Sequence, residues 1–163
     1  NAWTRQRKAL DKKEKEIYTR DCGMKIDLLN LNWIYRAKKY YHMLPPDIYL
    51  MTIPIHYRIK VDEFKALVEA PTVDQFMQLL ANTYYENRFH AMQRSEGMEQ
   101  FYKACIHGMY LSDRRRNPYS LATVNTYLFL KEEEINRLTT ALECIRYGLT
   151  PRETLGYIGG AKK

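Results

Sequence analysis

The chain has 163 residues, 45% hydrophobic and 28% charged, with a net charge of +7 and a pI of about 9.3. That length suits one ordinary domain or a piece of a larger protein, and the apolar content suffices for a packed core and excludes a disordered chain. No apolar run approaches the roughly 18 residues that a membrane-spanning helix needs, and no stretch has the pattern of a signal peptide. The first residue is Asn1 rather than Met, which fits a fragment of a longer protein. Cys22, Cys105 and Cys144 are an odd number, widely spaced. They give neither a disulfide framework nor metal-ligand spacing, and point to a reduced, cytoplasmic setting. The basic balance raises nucleic acid as a partner, but Lys and Arg alternate with Asp and Glu in most segments, the pattern of an ordinary solvated surface.

In chain order, the first segment, about 3 to 22, is dominated by charge. Its apolar residues Trp3, Leu10 and Ile17, then Met24, recur every seven positions as a narrow stripe on a wet helix. Arg7 and Glu14 occupy the second positions that a coiled coil would fill with apolar residues. Gly23 either interrupts this helix or is carried within it. A second helix is predicted from Met24 to about Met43, stopped by Pro45 and Pro46, and a short one over 47–52. "IPIHYRI" (53–59) alternates like a strand, but Pro54 argues for an extended connector. A helix over 61–70 ends at Pro71, and Thr72 caps "VDQFMQLLANTYY". Residues 87–97 are polar and read as a loop or a frayed end. Residues 98–115 are helical, Asn117 and Pro118 break the chain, and the longest helix runs to 147 with Gly148 as its cap. Thr150 and Pro151 start a last short helix that ends at Gly159 and Gly160.

The two long helices share a pattern. With Asp27 set on Glu134, Leu28, Leu31 and Tyr35 fall on Ile135, Leu138 and Leu142 as one apolar stripe of a wheel turning about 100° per residue. Ile34 and Ala37 fall on Ala141 and Cys144, on another flank, and Tyr40 falls on Tyr147. Past the helix ends, "LPPDIYLMTI" (44–53) aligns with "LTPRETLGYI" (149–158) through a shared Leu-x-Pro exit. A duplicated multi-helix unit follows, with residues 1–97 as one unit and 98–163 as the other, the latter holding the closing helix 118–147 and the short C-terminal helix. The fold class is all-α, a helical array. A helix apolar on two sides is one flanked by neighbours on both. Asp27 and Asn30 lie between those sides and are expected to cap or hydrogen-bond an adjacent helix, because a buried carboxylate without partners is costly; Glu134 is the counterpart contact in the second unit.

Chemistry is harder to find. His42, His56, His90 and His107 have no paired metal-ligand spacing. "GYIGG" (156–160) lacks the Lys and the strand-to-helix context of a phosphate loop, and Ser95, Ser112 and Ser120 lack nucleophile-elbow surroundings. "KEEE" (131–134) points its acids in different directions round a helix. No catalytic, cofactor-binding or metal-binding residue is assigned, and no cofactor. In "SDRRRNPYS" (112–120), Arg114, Arg115 and Arg116 stand at a helix C-terminus. Two readings stay open: compensation of the helix dipole with local salt bridges, or an interface for an anionic partner surface. The fourteen tyrosines are capable of stacking bases, but most lie on helix faces where burial explains them, so a nucleic-acid partner is not expected.

"KIDLLNLNWIYRAKKYY", "LPPDIYLMTIPIHYRI", "LVEAPTVDQF", "NTYYENRF" and "RRNPYSLATVNTYLFLKEEEINRLTTALECIRYGL" together resemble the C subunit of bacterial and archaeal V/A-type ATPases, whose eukaryotic counterpart is the V-ATPase d subunit. The similarity spans roughly residues 24 to 158 and lies in dispersed Asp, Asn, Arg and Tyr positions rather than in a catalytic signature. The resemblance implies an all-helical funnel of three related units, of which this chain would be the C-terminal half. It also implies a rotor subunit without a catalytic site of its own. Such a subunit sits at the cytoplasmic end of the membrane ring, receives the foot of the central axle, and passes torque for ATP-driven proton or sodium ion transport. The implied partners are the axle subunits and the ring. The alternative is a helical scaffold for another protein.

Overall fold

The computed structural model describes Arg5, residues 10–86 and residues 97–159. Seven helices and no strand are found among them: α1 (Lys12–Tyr40), α2 (Pro45–Met51), α3 (Val61–Glu69), α4 (Val73–Leu80), α5 (Gly97–Arg116), α6 (Leu121–Arg146) and α7 (Pro151–Tyr157). The all-α expectation holds, and the alternating segment 53–59 is an irregular connector, as Pro54 requires. Trp3 and the polar segment up to 96 lie outside the described residues. None of the described helices is long and apolar enough to cross a membrane.

Of the two readings left open at Gly23, the structure takes the second: the helix runs through it without a break. Its 29 residues make α1 about 44 Å long at the usual rise of about 1.5 Å per residue. Asp11 caps its start by accepting from the Glu14 amide at 2.8 Å. Gly23 is carried inside it for a steric reason. The Tyr57 ring lies so close that a Cβ on residue 23 would stand 2.5 Å from Cγ of the ring.

The core is built around α1. Met24, Leu28, Leu31, Ile34 and Ala37 are all buried, together with Leu67 and Val68 of α3, Phe76 and Leu80 of α4, and Met98, Phe101, Cys105 and Met109 of α5. The two apolar flanks of α1 are thus both covered, as a doubly flanked helix should be. Tyr35 packs on Phe76 with ring centroids 6.1 Å apart. At the other end, Tyr110 of α5 stacks on Phe129 of α6 at 4.8 Å.

The helix boundaries follow local chemistry. Thr72 accepts from the Gln75 amide and starts α4, while Thr150 and Glu153 form a reciprocal capping box at α7. The helix expected over "VDQFMQLLANTYY" stops at Leu80, after which Thr83 turns the chain with its hydroxyl on the Leu80 carbonyl. Gly148, at φ 71, closes α6: the Leu149 and Gly148 amides return to the Cys144 and Ile145 carbonyls. His42, at φ 49, occupies the like position after α1, and both exits lead through a Leu to a short helix with Pro in its first turn.

Candidate functional site

Asp27 and Asn30 are adjacent on one face of α1, and both are buried. Their partner is not a neighbouring helix but the connector from Ile53 to Ile59. Asn30 grips Ile53 in both directions: its Nδ2 donates to the carbonyl, and the Ile53 amide donates to Oδ1, each at 2.9 Å. The Asp27 carboxylate accepts from three consecutive amides, those of Tyr57, Arg58 and Ile59, at 3.0, 2.7 and 3.3 Å. The Tyr85 hydroxyl donates to it at 3.2 Å from the turn after α4. Burial raises the Asp27 pKa, and the three amides and the Tyr85 hydroxyl pull it back down. The Tyr85 phenol is raised in turn, by burial and then by the Asp27 charge. One carboxylate therefore ties α1, the start of α3 and the end of α4 together.

Two further cross-ties escaped the sequence reading. Lys38 of α1 reaches the C-terminus of α3, donating through Nζ to the Val68 and Ala70 carbonyls at 2.6 Å each. Burial lowers its pKa. At the other end of α1, Arg20 clasps one oxygen of Asp113 on α5, with Nε at 3.0 Å and Nη2 at 2.7 Å. Asp21 stands beside this pair. It accepts from Asn125 of α6 at 3.4 Å through one oxygen, and the other has no hydrogen-bond partner among the described residues. Its pKa is raised to about 7, first by burial and then by the Asp113 carboxyl, against the lowering effects of Asn125 and Arg20. Glu14 completes this end by accepting the Leu121 amide at the start of α6, where a negative charge complements the dipole. The available signal for Asp21 was its place between Ile17 and Met24, in the same seven-residue series as Arg7 and Glu14.

Glu134 behaves differently from Asp27. It is exposed and pairs with Lys131 of its own helix at 2.7 Å. Arg114, Arg115 and Arg116 fill the last turn of α5, and all three are exposed. None of them forms an ion pair with another described residue. The structure does not bring these arginines together with the Asp27–Asn30 pair, which is enclosed on α1.

His56 lies against Phe64 at 4.6 Å and His107 near Phe129 at 6.2 Å, while His90 is outside the described residues. Among the described residues, no group of three His, Cys, Asp or Glu side chains stands close enough to hold a metal ion. Cys22, Cys105 and Cys144 form no disulfide with one another. A groove of about 550 Å³ between α1 and the connector is lined by Lys12, Lys15, Arg20 and Arg58 with Glu16 and Tyr57. Thr19 also lines it, and its Arg20 is held from behind by Asp113. What the site offers is a set of polar ties at the junctions of packed helices.

No curated protein and no solved structure matches the chain. A family model described as ATP synthase (C/AC39) subunit matches residues 1–157. That match spans both long helices, the connector gripped by Asp27 and Asn30, and the arginine turn. The chain accordingly belongs to the ATP synthase (C/AC39) subunit family, an accessory subunit family of the V/A-type ATPases.

Proposed function

We propose that this subunit is a non-catalytic part of the rotor, the central stalk of a V/A-type ATPase. It joins the rotating axle to the membrane-embedded ring and transmits torque for ATP-driven proton or sodium ion transport. It works on the cytoplasmic side, held at the membrane through the complex. The observation that carries this reading is the family match over residues 1–157. The physical support is stiffness. A coupling element must resist shear between its helices, and the cross-ties from Asp27, Asn30, Lys38 and the Arg20 Nε–H fix α1 to α3, α5 and the connector with directional hydrogen bonds.

The exposed Arg114, Arg115 and Arg116 are proposed as one contact with a neighbouring subunit. They project from a helix end on which no described residue neutralises them. The experiment is capture: the tagged protein is mixed with the axle subunits and, separately, with detergent-solubilised ring. Retention of both is expected, and retention of neither argues against the rotor role. Reversing all three arginines to glutamate should weaken one of the two captures by roughly 10-fold or more, the loss expected for several interfacial charge contacts. Unchanged capture of both removes the arginine turn from the interface.

A further inference from the structure

Two carboxyl groups and one base are brought together where α1, α5 and α6 meet. Asp21 of α1 and Asp113 of α5 are 2% and 3% exposed. Each belongs to the buried face of its own helix, Asp21 between Ile17 and Met24, and Asp113 one turn after Met109 and Tyr110. Arg20 is the only base in ion-pair contact with either of them among the described residues. Its guanidinium is unequally shared. Nε donates to Asp113 Oδ2 at 3.0 Å, and Nη2 lies 2.7 Å from the same oxygen, whereas Asp21 Oδ1 stands 3.8 Å from Nε. Asn125 of α6 donates to Asp21 Oδ2 at 3.4 Å, and Asp21 Oδ1 is buried with no hydrogen-bond partner among the described residues.

With both carboxyls ionised, this enclosed set holds two negative charges against one positive, and the carboxyls are within hydrogen-bonding reach of each other. A like-charge pair is costly away from water, and a single proton removes the excess charge and gives the pair a donor it lacks. Arg20 is committed to Asp113, so the proton falls to Asp21, whose pKa burial and then the Asp113 carboxyl raise to about 7. The other groups facing Asp21 do not offset this. The Cys22 thiol of α1 and the Tyr110 phenol of α5 are both pushed up, first by burial, and are neutral over this range. Asn125, from α6, carries no charge.

We propose that Asp21 and Asp113 hold one proton between them, and that its loss to solvent parts α1 from the last turn of α5, which makes the junction a pH-sensitive clasp. Below neutral pH the Asp21 carboxyl donates to Asp113 and bridges the two helices. Above it, two carboxylates meet across the same contact and repel. The turn set free is 113–116, which carries the three exposed arginines. The clasp is built from enclosed side chains of this chain and does not depend on the rotor reading.

The test follows the aspartate carboxyl carbons of the whole chain by NMR from about pH 5 to about pH 9, with Asp21→Asn for assignment. Amide exchange at residues 113–117 is measured over the same range and corrected for the pH dependence of intrinsic exchange. One carboxyl of the pair should keep its proton to about neutral pH. Protection at 113–117 should fall by roughly 10-fold as that proton is lost, the factor that one pKa unit of coupling represents. Asp21→Asn is neutral at every pH and should keep its protection throughout. Asp113→Asn frees Arg20 for Asp21 and should move the remaining titration down by roughly 1 pH unit or more. The proposal is overturned if no aspartate titrates above the ordinary carboxylate range, or if protection stays level across the titration. It is equally overturned if Asp21→Asn loses protection as the unaltered protein does, or if Asp113→Asn leaves the Asp21 titration where it was.

Discussion

A buried carboxylate surrounded by backbone amides is the most demanding single residue in this protein. Asp27→Asn places an NH2 group among three N–H donors and the Tyr85 hydroxyl, and leaves at least one amide unpaired. The expected loss is about 3 kcal/mol, read as an earlier midpoint in chemical denaturation, from leaving buried donors unsatisfied. Gly23 gives the opposite surprise. On helix propensity alone, Gly23→Ala should stabilise α1 by about 1 kcal/mol. The Tyr57 ring, at 2.5 Å from the new Cβ, makes it destabilising instead, and a stabilised Gly23→Ala protein would show that the ring is not seated there. Asp21 supplies a pH dependence. Its pKa in the folded protein is above that of the unfolded chain, so the folded state holds the proton more tightly. Stability from this group is full below the ordinary carboxylate range and is lost as pH rises to about 7. Asp21→Asn keeps a neutral side chain at all pH values. Its stability should therefore fall less than that of the unaltered protein between acid and neutral pH, as measured by urea unfolding at each pH.

At the scale of the element, the caps and stops were legible because their chemistry is local. Thr72, Thr150 with Pro151, and Gly148 each act on amides or carbonyls within a few residues, and each is found where the sequence put it. Gly23 was ambiguous because the ring that fills its place comes from residue 57, far away in sequence. Asp27 and Asn30 were legible as polar residues needing partners, since they interrupt apolar flanks. Their partner, a connector with no regular structure, left no periodic signal of its own. The two long helices mark the limit most plainly. Leu28 and Ile135 sit in the same pattern, yet one is 1% exposed and the other 61%, because periodicity reports that a stripe exists and not whether a neighbour has arrived. Glu14 gives a prediction at this scale. Its carboxylate, at 3.0 Å from the Leu121 amide, anchors the start of α6 to α1. Glu14→Gln keeps the hydrogen bond but loses the charge at the dipole, and should cost about 0.5 kcal/mol; Glu14→Ala loses both and should cost about 1.5 kcal/mol, with fraying at residues 121–124 visible in amide exchange.

In the whole molecule, α1 is one long rod that packs against elements from both sides of residue 97. The N-terminal half of α1 is tied to α5 and α6 by Glu14, Arg20 and Asp21, and its C-terminal half to the connector and α3 by Asp27, Asn30 and Lys38. Ties at both ends of one helix leave no hinge between the two sets. Native-state hydrogen exchange should then find the amides from about 17 to 37 opening together, in one event near the global unfolding free energy rather than in two separate blocks. A beam clamped at both ends in this way stores little energy in bending. On the proposed rotor reading, a twist applied near the arginine turn would emerge at the far end with almost no lag, and any compliance the assembly needs would have to come from some other component.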